Sequence, residues 1–186
     1  MKKNQKEISI KSLIQNFSIE TTPHIYTKYG NFSEFLNHKN SVYVTYLPDE
    51  KSERVIDTSK KLNEEGFTAV PHLPARTFKN NLHLEKYIGN LSEIAGCTKI
   101  LVIGGGGNQR GNITSSLDVL KTDLLSKFNF TEVGVAGHPE GNPDVPSKEL
   151  DKAIIEKNQF LMKNVGKSSK TAENSSEKVL ASKPRK

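Results

Sequence analysis

KILVIGGGGNQRG, residues 99–111, is a short run of large aliphatic side chains that breaks into four consecutive glycines. An apolar run of this length, bounded by glycine, reads as a buried strand entering a loop. The shape recurs on both sides. EVGVAGHPEGNPDV (Glu132–Val145) follows it, and SVYVTYLPDE (Ser41–Glu50) and FTAVPHLPAR (Phe67–Arg76) precede it. FSIETT (Phe17–Thr22) is a fifth candidate strand. Helical patterns separate the runs. The segment of about Leu82–Ala95 places Leu84, Tyr87, Ile88, Leu91 and Ile94 on one face, and Gly96 follows as a stop. Val55, Ile56 and Leu62 mark a helix over about Ser52–Glu65, closed by Gly66. Further helices are expected over about Ser115–Phe128 and from near Ser147, with a short one at Ser33–Asn37.

Strand starts fall near residues 17, 42, 67, 99 and 131, about one β–loop–α–loop unit apart. Five such units predict an α/β fold and admit two architectures. One is an open, doubly wound sheet of flavodoxin type with strand order 2-1-3-4-5. The other is a partial (β/α)8 TIM-type barrel made of its first five β/α units. Spacing does not choose between them. Both place chemistry in the loops after the strand C-termini.

Net charge is +6 over 186 residues, and it is unevenly distributed. Residues 163–186 carry seven Lys/Arg against two Glu, a net of +5 that leaves only +1 for the rest. The body of the chain therefore has no basic stripe, and nucleic acid is not an expected partner. Residues 166–186 are rich in Lys and Ser and are expected to form a disordered basic tail after a domain over 1–165. The lone Cys97 excludes an internal disulfide. No apolar run reaches the ~20 residues needed to cross a bilayer, so no membrane association is expected. The charged start, MKKNQKEISIKS, lacks the apolar core of a secretory signal, and a cytoplasmic location follows as the expectation.

Four features carry chemistry. The loop Gly104–Gly111 reads either as a backbone cradle for an anion or as a turn where neighbouring chain passes close. It fits neither G-x-G-x-x-G nor the phosphate loop of nucleotide hydrolases. Ala136–Asp144 puts His138, Glu140 and Asp144 on a proline-rich loop, with a spacing that matches no standard metal set. His72 ends the third strand on the presumed functional rim, either as a ligand contact or as a structural hydrogen-bonding group. Glu20 is a carboxylate in a short strand, where Ser18, Glu20 and Thr22 share one face and Phe17, Ile19 and Thr21 the other. It either faces water at the strand end or points into a polar site as a general acid. In an unclosed barrel, Val42, Val44, Val102, Val133 and Val135 are expected on the exposed inner face.

These stretches together resemble the flavin-dependent methylenetetrahydrofolate reductase family over about residues 15–160. FSIETTP sets Glu20 in that family's strand-one context. VTY (Val44–Tyr46) followed by SER (Ser52–Arg54), the pair His72–Leu73, the strand-four glycine loop and GHPEGNPD echo its later motifs in order. The resemblance implies the (β/α)8 barrel. It also implies FAD at the C-terminal mouth, NAD(P)H as reductant and methylenetetrahydrofolate as substrate. Glu20 takes the role of proton donor to the folate, and Thr45 and His72 match flavin-contacting positions. Gly104, Gly105, Gly106, His138 and Asn142 fall in the two loops that hold the cofactor.

The chain departs from the family pattern in two loops. Gly105 or Gly106 stands where the family has an Asp beside the flavin ring, and Asn142 replaces a histidine. After Phe160 the family continues into another strand, whereas this chain passes into the Lys/Ser-rich segment, the pattern of a truncated reading frame. Three functions are thus compatible with the sequence. It is a reductase of one-carbon metabolism, a flavin- or folate-binding protein without activity, or an interaction module whose barrel is completed by a second chain or a further copy.

Overall fold

The computed structural model describes residues 17–38, 40–136 and 147–164. Five strands, β1 (Ile19–Thr21), β2 (Ser41–Val44), β3 (Thr68–Pro74), β4 (Lys99–Ile103) and β5 (Glu132–Val135), form one sheet. Every pairing is parallel and the order is β1-β2-β3-β4-β5. The chain therefore does not adopt the flavodoxin-type order. Five helices accompany the strands: α1 (Pro23–Tyr29), α2 (Ser52–Glu64), α3 (Asn81–Gly89), α4 (Ser116–Lys121) and α5 (Ser147–Asn164).

The sheet has two unlike faces. Val42, Val44, Leu73, Ile100 and Val102 have essentially no exposure and belong to a single core with Val55 and Leu62 of α2, Leu84 and Ile88 of α3, and Val119 of α4. Val133 and Val135 pack against that core. These valines thus face the helices, which corrects the expectation that they line the exposed inner face. The alternation was right, but its phase was assigned to the wrong side. A one-residue change of phase moves every side chain across a sheet. The opposite face carries Glu20, Tyr43, Val70, His72, Leu101 and Gly134, as the register shows: Glu20 lies beside Tyr43, Tyr43 beside Val70, and His72 beside Leu101 beside Gly134. Val70 is buried yet lies outside the helix-side core.

Local chemistry explains the elements. α1 starts at a Thr22 cap, whose hydroxyl accepts from the Ile25 amide at 3.1 Å, with Pro23 at the first helical position. Its Tyr26 hydroxyl donates to the Glu65 carboxylate and ties α1 to the end of α2. Asn63 clamps three elements: its amide oxygen accepts from Ala69 N at 2.9 Å, and its amide nitrogen donates to Ala95 O at 2.8 Å and to Cys97 Sγ at 3.7 Å. The segment expected as one helix over 115–128 is broken. Asp123 adopts φ +57, and a 3-10 turn, Leu124–Lys127, replaces the second half. The helix expected to run to Ala95 also changes character, passing from α3 into a π turn at Asn90–Ile94.

Candidate functional site

β1 and β2 position the first pair of side chains. The ladder runs one residue past β2, because Thr45 N donates to Thr21 O at 2.8 Å. That fixes Thr45 on the helix-free face, where its Oγ1 donates to Glu20 Oε1 at 2.6 Å. Glu20 is exposed, and no helix-side residue covers it. The carboxylate is therefore solvated but oriented, since one lone pair is committed to a neighbouring strand.

β3 supplies His72, which is only 6 % exposed. Its backbone is anchored by the Tyr87 hydroxyl, which donates to His72 O at 3.0 Å. The ring itself is not anchored: neither Nδ1 nor Nε2 has a hydrogen-bond partner. Burial lowers the pKa of the imidazole, and the negative charge of Glu20 opposes that shift. Burial dominates, so the ring is neutral near pH 7. A buried polar group left unmatched costs about 1–3 kcal/mol, and such groups in native proteins are few. Tyr43 lies edge-on to this ring with centroids 6.2 Å apart. Burial raises its phenol pKa, Glu132 adds to the rise and Lys99 opposes it. Lys99 Nζ and Glu132 Oε2 pair at 2.8 Å on the same face.

The glycines of the β4 loop divide by role. Gly105 has φ +86, and a Cβ there would lie 2.7 Å from Pro74 Cβ. Gly107 has φ +81 and packs on Pro48. Gly111 fits against Lys79 so closely that a Cβ would meet the Lys79 carbonyl oxygen. Each lets one strand-end loop seat on another. Gly104 and Gly106 have nothing within 4 Å of a would-be Cβ and leave open space for an approaching ligand. The reading of this loop as a turn where neighbouring chain passes close thus holds at Gly105, Gly107 and Gly111.

Glu20, Thr45 and His72 lie on the same face of neighbouring strands, and Gly104–Gly106 follow the next strand. His138 and Asn142, with Glu140 and Asp144, lie outside the described residues, as does the tail 166–186. Sequence reading missed Tyr43 and the Lys99–Glu132 pair. Their signal was alternation: Tyr43 sits between two fully buried valines, and Lys99 precedes the buried Ile100. Cys97 is buried, and burial pushes its thiol pKa up to about 12, so it is no nucleophile. Among the described residues no three of His, Cys, Asp and Glu converge to hold a metal ion. Nor is any helix among them long and apolar enough to cross a membrane. Compared with models of known protein families, the chain matches none.

Proposed function

We propose that this chain is a flavin-dependent oxidoreductase of methylenetetrahydrofolate reductase type, built on the first five units of a (β/α)8 barrel. The observation that carries the reading is the Glu20–Thr45 hydrogen bond on the helix-free face, with the unpartnered His72 on the strand beyond. In barrels the functional groups project from strand C-terminal ends into that face.

The residues present fit a flavin ring in two respects. His72 has two ring nitrogens that lack partners, one of which can donate to a polar ring edge while the other accepts. Gly104 and Gly106 leave backbone accessible at the end of β4. Bound FAD would supply the hydride relay between NAD(P)H and the folate. Glu20 is the carboxyl that gives a proton to the folate nitrogen, and Thr45 holds it in one orientation. His72 stays neutral and contributes polarity without charge.

The purified protein tests the reading directly. Absorbance near 450 nm, or saturable FAD binding on titration, supports it, and NADH oxidation with a quinone acceptor supports activity. A protein that binds no FAD at millimolar concentration refutes it. The second reading, a non-catalytic module completed by a further chain, is favoured by the β1 and β5 edges, which lack a neighbouring strand among the described residues. Flavin binding without NADH oxidation, or concentration-dependent association without flavin, selects that reading.

A further inference from the structure

The sheet is open at both ends, and the helices beside those ends carry bare apolar side chains. β1 and β5 each have a single neighbouring strand among the described residues. Beside β1, Ile25 and Tyr29 of α1 are 42 % and 63 % exposed. Beside β5, Ile155 and Met162 of α5 are 56 % and 69 % exposed. Unpaired strand backbone and exposed apolar side chains together invite a further strand and helix.

The hand of the chain sets which way these side chains point. Parallel β–α–β crossovers are right-handed, so each new strand lies to the right when the sheet is seen from the helix side. The helices run opposite to the strands, and residues advance clockwise when a helix is viewed from its first turn. On α5 the half-buried stripe holds Leu150, Ile154 and Leu161. Ile155 and Met162 lie clockwise of that stripe, on the flank that points beyond β5. Ala153 and Phe160 lie on the other flank, toward α4, and are half-buried. On α1 the buried pair is Pro23 and Tyr26. Ile25 and Tyr29 lie anticlockwise of that pair, on the flank that points beyond β1. The two apolar flanks therefore have opposite hands, as the facing sides of two adjacent parallel helices must.

Charge follows the same arrangement. α1 carries Lys28 and no carboxylate, and the Lys28 ammonium lies 5.0 Å from the centroid of the Tyr29 ring. Asp151 is exposed on the flank of Ile155, one turn before it. Neither Lys28 nor Asp151 has an ion partner among the described residues. Measured from the start of each helix, Asp151 and Lys28 lie at about 6 and 8 Å, and Ile155 and Tyr29 at about 12 and 9 Å.

We infer that a second copy of this chain docks head to tail, with the α5 flank of one copy on the α1 flank of the other and β5 laid parallel to the other copy's β1. A two-fold axis along the strands repeats this contact at the other end, keeps every strand parallel and leaves no edge open. Within the second reading above, on which this inference rests, the completing chain is this chain itself.

Sedimentation velocity of the full chain from about 1 to 100 µM should show a concentration-dependent dimer. Tyr29→Glu and Ile155→Glu each alter an exposed side chain and should raise the dimer dissociation constant about tenfold or more. Lys28→Glu and Asp151→Lys should each weaken the dimer, and the two changes in one chain should restore it. A chain carrying Tyr29→Glu, mixed with one carrying Ile155→Glu, keeps one contact intact in each mixed pair. The mixture should therefore associate more tightly than either variant alone. A monomer at every concentration, a series of ever larger species, or a mixture no tighter than its components overturns the inference. Association that all four substitutions leave unchanged also overturns it, while the module reading survives on another surface. FAD absorbance, which tests the reductase reading, is independent of these outcomes.

Discussion

Thr45 Oγ1 reaches across from β2 to hold Glu20 Oε1 of β1 at 2.6 Å, while His72 of β3 is left with no partner for either ring nitrogen. One polar group on this face is tethered and the next has no hydrogen-bond partner. In the reductase reading, Glu20→Gln should leave flavin reduction by NAD(P)H nearly intact and slow the folate half-reaction by about 10²-fold or more. Stopped-flow measurement of each half separates the two. Equal slowing of both assigns Glu20 a structural role.

His72→Leu should stabilise the ligand-free protein by roughly 1 kcal/mol, because it replaces two unsatisfied buried nitrogens with apolar volume. The same change should weaken FAD binding. The wild-type ring also has a pH signature. Its folded pKa is lowered, so the unfolded chain binds the proton more readily. Proton linkage at His72 therefore adds no cost above about pH 6.5, its unfolded value, and destabilises progressively as pH falls below it. Urea midpoints of the wild type should fall more steeply than those of His72→Leu between about pH 6.5 and 5.

Gly105→Ala should cost roughly 2 kcal/mol or more, since it combines a left-handed backbone with a clash against Pro74. Gly106→Ala should stay within about 0.5 kcal/mol, because its Cβ meets open space. If Gly106 is the position where a ligand approaches, its variant should fold normally and bind less well. Denaturation curves and FAD titrations of the two variants check this contrast.

α4 depends on a reciprocal cap. The Ser115 hydroxyl accepts from Asp118 N at 3.2 Å, while Asp118 Oδ2 accepts from Ser115 N at 3.0 Å and from the Thr114 hydroxyl at 2.7 Å. Ser115→Ala should cost about 1 kcal/mol. Burial raises the Asp118 pKa, but the bonds from Thr114 and Ser115 outweigh it and lower the value overall. A depressed folded pKa gives stability that is present above the unfolded value, about 3.9, and lost as pH falls through the folded one. Asp118→Asn should remove that acid-range slope, read from thermal midpoints between about pH 5 and 2.5.

Periodicity was enough to locate the five strands, because each is an apolar run ended by Gly, Pro or a polar loop, and to locate α2, whose Val55, Ile56 and Leu62 form one face. It was silent on α1. His24, Ile25, Thr27, Lys28 and Tyr29 are all exposed, so the helix has almost no apolar stripe, and its only signal was the Thr22–Pro23 cap. The break at Asp123 was hidden for the opposite reason: Leu117, Leu120, Leu124 and Leu125 keep a helical rhythm through a residue that turns left-handed. For the site, strand alternation set Glu20 on the face opposite Ile19, and Ile19 is the one that packs on the helix-side core. The tether to Thr45 joins residues twenty-five positions apart and has no trace in local sequence.

The strictly sequential pairing of the sheet has a consequence for biosynthesis. Each strand bonds to the one just synthesised, so no segment must wait for a distant partner to leave the ribosome. The nascent chain can lay down the sheet in the direction of translation, with each helix sealing the newest strand. What remains exposed at any moment is the β1 edge and one growing edge, and protection of these edges, more than the search for topology, should set how much this chain relies on chaperones.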